Sequence, residues 1–229
     1  MEPSQIARTY RNRNPLQIQH PARGLVCAAS GHGKTMWMVQ TALRADAPWD
    51  HIIVVCHNIS VGQPAYQHLK NNFRGRVDFV KGLPDTEDAE VDLMNVLQRD
   101  RNKQKLVILD DVLEESLSGR ASKLVSKLFT SGRHLNCSVF QLLQRFMHNR
   151  SNRLNCEYLI AGAVPADAGA LAAIAHQISP EDKGRMIMAC YRQATSIPHG
   201  FLIVDLKSSD PRLRLRDNSF DTVFDVKML

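Results

Sequence analysis

Apolar and polar positions along this 229-residue chain follow two different periods. Short, nearly unbroken apolar runs recur at residues 25–28, 50–56, 105–109, 137–144, 156–162 and 200–205, with a β-branched and aromatic segment at 76–80. Runs this brief and this apolar predict strands covered on both faces, as in a parallel sheet. Between them the period changes to that of a helix, over 36–45, 65–72, 91–100, 119–132 and 166–177. In the fourth of these Ala121, Leu124, Val125, Leu128 and Phe129 fall at i, i+3, i+4, i+7 and i+8, and Gly132 stands where a C-terminal cap belongs. A further helix is expected to open at Ser179-Pro180-Glu181-Asp182, which supplies a cap, a proline for the first turn and two acids. Residues 212–216 alternate like an exposed edge strand, their arginines guarding the edge. Strand and helix in alternation predict an α/β fold around a mainly parallel sheet. Residues 1–20 carry Arg8, Arg11 and Arg13 without periodicity, an irregular basic arm, and 21–229 read as a single domain.

Composition narrows the partners more than the fold. With 44% apolar residues the chain can bury a substantial core. No apolar run approaches about 18 residues, so no membrane span is expected, and an intracellular protein without a secretion signal is. Five cysteines without a Cys-x-x-Cys pair argue against a disulfide frame or a zinc ribbon, and Cys27, Cys56 and Cys137 read as small buried hydrophobes in strands. The net charge of +6 favours an anionic partner. Between Ser116 and Cys156 there is no Asp or Glu against seven Lys or Arg: Arg120, Lys123, Lys127, Arg133, Arg145, Arg150 and Arg153. A one-signed stretch can be a solvated face or a nucleic-acid contact, and both readings stand.

The chemistry is concentrated where the first apolar run breaks into Ala28-Ala-Ser-Gly-His-Gly-Lys-Thr35. A strand, a tight loop and a helix in that order make a phosphate cradle, with backbone N–H groups and the positive helix end facing an anion. The nucleotide-binding residues are then Ala29, Ser30, Gly31, His32, Gly33, Lys34, Thr35 and Met36. Lys34 reaches the β- and γ-phosphates of ATP, and the Thr35 hydroxyl ligates Mg²⁺. Alanine at position 28 replaces the usual first glycine and is small enough for the turn. The second half of such a site is the acidic pair Asp110-Asp111 at the tip of the strand over 105–110, the end at which ligands of open parallel sheets lie. Asp110 would hold Mg²⁺, and Asp111 would orient and polarise the attacking water. A glycine-rich surface turn and a simple acidic turn cap are the plainer readings, and each must explain the other's presence.

With these blocks in place, the chain resembles a viral genome-packaging ATPase of the FtsK–HerA superfamily, of the small type found in poxvirus-like, Polinton-like and tailless membrane-containing double-stranded DNA viruses. The matching blocks are 28–35, 106–111, Ser131-Gly-Arg-His-Leu-Asn-Cys-Ser-Val139 through Gln144, and 201–205. The resemblance implies a RecA/FtsK-like P-loop NTPase sheet with C-terminal strands added at its edge. It also implies that Gln144 senses the γ-phosphate from the strand beside the acidic pair, and that Arg133 reaches a phosphate in its own subunit or a neighbour's. Asp111 departs from the glutamate many relatives use, and Arg145 is a rival to Arg133. The implied partners are double-stranded DNA, capsid or portal-vertex proteins, and identical subunits in a ring. A nucleoside or nucleotide kinase, and an AAA+ helicase-loader or transposition ATPase, remain alternatives. The first needs a phosphate acceptor and the second a C-terminal helical lid.

Overall fold

Residues 17–45, 49–56, 58–83, 87–112, 119–146, 150–218 and 223–224 are described by the computed structural model. Of the expected basic arm, residues 1–16, with Arg8, Arg11 and Arg13, lie outside them. The apolar runs become β1 (Arg23–Cys27), β2 (His51–Cys56), β3 (Val77–Lys81), β4 (Lys105–Asp110), β5 (Cys137–Leu143), β6 (Tyr158–Ala161), β7 (Leu202–Asp205) and β8 (Leu215–Asp217). They form one sheet in the order β3-β2-β4-β5-β1-β6-β7-β8. The pairings from β3 through to β6 are parallel. The last two strands join antiparallel at one edge. The expected fold class, a mainly parallel sheet with C-terminal strands at its edge, is therefore the observed one.

Helices α1 (Lys34–Arg44), α2 (Pro64–Asn72), α3 (Glu87–Arg99), α4 (Gly119–Ser131), α5 (Arg150–Asn155), α6 (Ala168–Ile178) and α7 (Arg185–Ala194) connect the strands. Successive strand residues point to opposite faces, and two apolar layers result. Val26, Ile52, Val54, Leu106, Ile108 and Phe140 meet Trp37, Met38 and Val39 of α1 and Tyr66 and Leu69 of α2. Leu25, Ile53, Val55, Val107, Leu109 and Val139 meet Leu97, Leu124, Leu128, Leu171 and Ile187 on the other face. Every residue of β4 and β5 is buried, which is why neither shows the polar alternation of a half-exposed strand. Cys27, Cys56 and Cys137 sit in strands as expected, and all five cysteines are free and buried.

Three local expectations need correcting. The helix expected at Ser179 starts at Arg185, because Lys183 and Gly184 take left-handed φ values of 56° and 72° and break the turn. The Asp182 carboxylate accepts from Gly184 N at 2.9 Å and from Met186 N at 2.8 Å, so it caps the later start. Gly132 does not end α4 in the left-handed region. It opens a 3-10 turn, Gly132–Leu135, and Asn136 takes the left-handed step (φ 50°). The segment expected as an exposed edge strand begins as a 3-10 turn, Pro211–Leu213, and only its end, β8, is the edge strand of the sheet. Arg216 is fully buried there, with Nη2 2.9 Å from Asp205 Oδ2, so it is a core ion pair and not edge protection.

Candidate nucleotide site

β5 stands between β1 and β4 in the sheet. The loop after β1, the acids after β4 and the residue after β5 therefore emerge side by side at the carboxyl end of the sheet, as the strand-order rule for such folds requires. They enclose a cleft of about 400 Å³ lined by Ser30, Gly31, Gly33, Lys34, Thr35, Met36, Asp110, Asp111 and Gln144. Its opposite wall is Ser60, Gln63, Pro64 and Ala65, from a 3-10 turn, Asn58–Gly62, and the first turn of α2.

The loop takes its shape from a left-handed Gly33 (φ 98°), whose carbonyl accepts the first bond of α1 from Trp37 N at 2.8 Å. A side chain at 33 would be strained by that φ and would also press on His199 Nδ1, 3.2 Å away. Lys34 Nζ folds back over the loop, donating to the carbonyls of Ala28 (2.7 Å) and Ala29 (3.1 Å). Burial lowers its pKa, and the negative charge of Asp110 opposes that shift.

The two acids differ. Asp110 is 5% exposed. Its Oδ2 accepts from the Thr35 hydroxyl at 3.1 Å and from the Tyr66 hydroxyl at 2.5 Å. Burial raises its pKa, and those two hydrogen bonds pull the other way. Asp111 is exposed and leaves β4 in the left-handed region (φ 56°), and Gln144 Nε2 donates to its Oδ1 at 2.9 Å. The oxygen donors Thr35 and Asp110 fit a hard divalent cation such as Mg²⁺. No group of three or more His, Cys, Asp or Glu among the described residues could hold a metal alone.

Not all expected residues meet. The Ala29 N–H is taken by the carbonyl of Ala163 (2.9 Å), and neither Ala29 nor His32 lines the cleft. The His32 ring instead faces the end of the sheet beyond β6, with Nε2 3.0 Å from Gly200 O and 3.2 Å from Ala163 N, and packs edge-on to Phe201. His199 Nδ1 donates to the His32 carbonyl at 2.9 Å, so the loop before β7 braces the cradle from behind. Arg133 lies before β5 and Gln144 after it. At the rise of a strand this separates them by about 20 Å. Arg133 is exposed at the far end of the sheet and does not reach the cleft of its own chain, whereas Arg145 is exposed beside Gln144. Within the basic stretch, Arg145 therefore stands at the nucleotide end of the sheet and Arg133 at the other. Lys127 of α4 pairs with Glu90 at 3.8 Å, and the Arg120 side chain lies outside the described residues.

Tyr66 and the wall formed by residues 60–65 carried no motif. The signal available was a tyrosine on the apolar face of a short helix beside Ala65 and Leu69, a placement whose hydroxyl needs a buried acceptor.

The sequence profile of the poxvirus A32 protein family matches residues 11–171. No curated protein sequence matches. Among solved structures, B204, the DNA-packaging ATPase from Sulfolobus turreted icosahedral virus, aligns with a TM-score of 0.60 and 12% identity over 87% of this chain and 98% of that one. The genome packaging NTPase B204 from Sulfolobus turreted icosahedral virus 2, in complex with AMP, aligns with a TM-score of 0.58 and 14% identity over 93% and 100%. The same NTPase in complex with ATP-gammaS aligns with a TM-score of 0.58 and 12% identity over 87% and 98%.

Proposed function

Because the chain belongs to the poxvirus A32 protein family, we propose that it is an ATP-hydrolysing motor that drives double-stranded viral DNA into a preformed capsid. The observation that carries this reading is the convergence, in one cleft, of Lys34, the Thr35–Asp110 pair and the Asp111–Gln144 pair. Such a set suits transfer of the γ-phosphoryl group to water.

The residues divide the work. On binding ATP, Lys34 exchanges the carbonyls of Ala28 and Ala29 for the β- and γ-phosphate oxygens, and loop N–H groups receive the remaining charge. Thr35 and Asp110 would hold Mg²⁺, which when bound neutralises charge on those phosphates. Asp111 accepts a hydrogen bond from the attacking water and takes its proton as the water oxygen bonds to the γ-phosphorus and the bond to the β,γ-bridging oxygen breaks. Gln144, fixed to Asp111, registers whether the γ-phosphate is present.

DNA enters through charge. A chain at +6, with exposed Lys123, Arg133 and Arg145, is fitted to phosphate contacts, which suit a motor that must pass over any sequence. No helix of the described residues is long and apolar enough to cross a membrane. Subunits assemble as a ring in which Arg133, remote from its own cleft, serves the nucleotide of a neighbour, and capsid or portal-vertex proteins receive the assembly. The test follows the label of γ-labelled ATP. Release as inorganic phosphate, accelerated by double-stranded DNA, is the expected outcome. Label appearing on an added nucleoside or nucleotide overturns the motor in favour of a kinase.

A further inference from the structure

We propose that Tyr66 is a positioning residue for Asp110, setting the orientation in which that carboxylate meets the cation; this rests on the reading of the cleft as an ATP–Mg²⁺ site. Two hydroxyls converge on one oxygen, Asp110 Oδ2: Thr35 at 3.1 Å and Tyr66 at 2.5 Å. Their situations are not equivalent. Thr35 belongs to the cradle, and its hydroxyl oxygen would hold the cation when nucleotide is bound, so its hold on Asp110 would change through the cycle. Tyr66 does not line the cleft and can hold the carboxylate throughout.

The phenol is built for that task. Tyr66 is 1% exposed, and its ring packs edge-on against Phe79 with centroids 5.6 Å apart. A phenol is protonated at neutral pH, so Tyr66 donates to the carboxylate. A hydrogen bond from a neutral donor to a buried carboxylate is of the strong, charge-assisted kind. Tyr66 also stands one residue beyond Ala65 in the first turn of α2, and Pro64 and Ala65 line the far wall of the cleft. The wall and the acid are therefore tied through one side chain. Outer partners of this kind commonly change metal affinity by about 10- to 100-fold when removed.

The experiment uses the full chain and titrates a non-hydrolysable ATP analogue calorimetrically, with and without Mg²⁺, in wild type and Tyr66→Phe. Phenylalanine keeps the ring and its packing and removes only the donor. The expected result is metal-free binding like wild type, with the half-saturating Mg²⁺ concentration raised about 10- to 100-fold. On an Asp110→Asn background the same change should shift nothing further. A Mg²⁺ dependence identical to wild type, or an undiminished effect on the Asp110→Asn background, overturns the role of Tyr66 while leaving the nucleotide site standing. Wild type that binds the analogue with no Mg²⁺ dependence overturns the site reading, and this proposal with it. If Tyr66→Phe does not melt cooperatively, 3-fluorotyrosine placed at position 66 alters the strength of the donor in an intact fold. A shifted Mg²⁺ midpoint then supports the assignment and an unmoved one rejects it.

Discussion

Asp110 and Asp111 are adjacent, yet the backbone gives them opposite surroundings. Asp110 ends β4 inside the fold, fixed by two hydroxyls, and Asp111 turns out through a left-handed φ to meet Gln144. The buried acid carries a cost. Its carboxyl pKa is raised above the unfolded value, so the stability linked to its proton is fully present below the ordinary aspartate range and is lost as pH climbs through the raised value. Asp110→Asn should therefore raise the melting temperature of the nucleotide-free protein at neutral pH while weakening, without abolishing, Mg²⁺-dependent nucleotide binding. A fall in melting temperature would show that the anion is stabilised by its partners. Asp111→Asn should leave nucleotide binding intact and reduce turnover by about 100- to 10,000-fold, the range of a lost general base. Lys34, Thr35 and the acid pair were legible because phosphate and metal chemistry restricts residue types at fixed spacing. Tyr66 was not, because its partner lies 44 residues away and its own neighbours show only helix periodicity.

Strands were more legible than helix ends. Leu106–Leu109 admits few structures, since an unbroken apolar run of that length must be covered on both sides, and Val139–Leu143 is interrupted only by Gln141. The start of α7 was misplaced because proline and acids at 180–182 suit a first helical turn, and only Lys183 and Gly184 in the left-handed region rule it out. Likewise the arginines of 212–216 alternate as at an edge, but pairing with Asp205 draws Arg216 inside. Removing one member of such a pair strands the other, so Asp205→Ala should destabilise the fold by about 3–5 kcal/mol in denaturant unfolding. The cradle is held from behind by elements with no motif. A Cβ at Gly162 would lie 2.5 Å from His32 Cδ2 and 2.7 Å from both Ala28 Cβ and Phe201 Cε1. Gly162→Ala should cost about 1–3 kcal/mol and weaken nucleotide binding in the same variant, and binding at wild-type strength would show that the brace is dispensable.

At the scale of the whole molecule, strand order decides which residues can cooperate. Placing β5 between β1 and β4 delivers Gln144 to the cleft and in the same stroke carries Arg133 to the far end of the sheet. Arg133 precedes the strand and Gln144 follows it, so the sequence already sets them at opposite ends, and only the strand order shows which end carries the cleft. If Arg133 serves a neighbour, Lys34→Ala and Arg133→Ala should each be inactive alone, and mixing them should restore part of the ATPase activity, since some junctions then combine an intact Lys34 with an intact Arg133. A mixture as inactive as its components would place the phosphate-reaching arginine elsewhere, with Arg145 next to be tested. The central claim is that this cleft powers movement along duplex DNA. It is tested most directly by ATP-driven displacement of a triplex-forming strand from double-stranded DNA, comparing wild type with Lys34→Ala. The account predicts displacement by wild type that stops without ATP and falls about 100- to 1000-fold in the variant. Hydrolysis by wild type without any displacement, or displacement that survives the loss of Lys34, would contradict it.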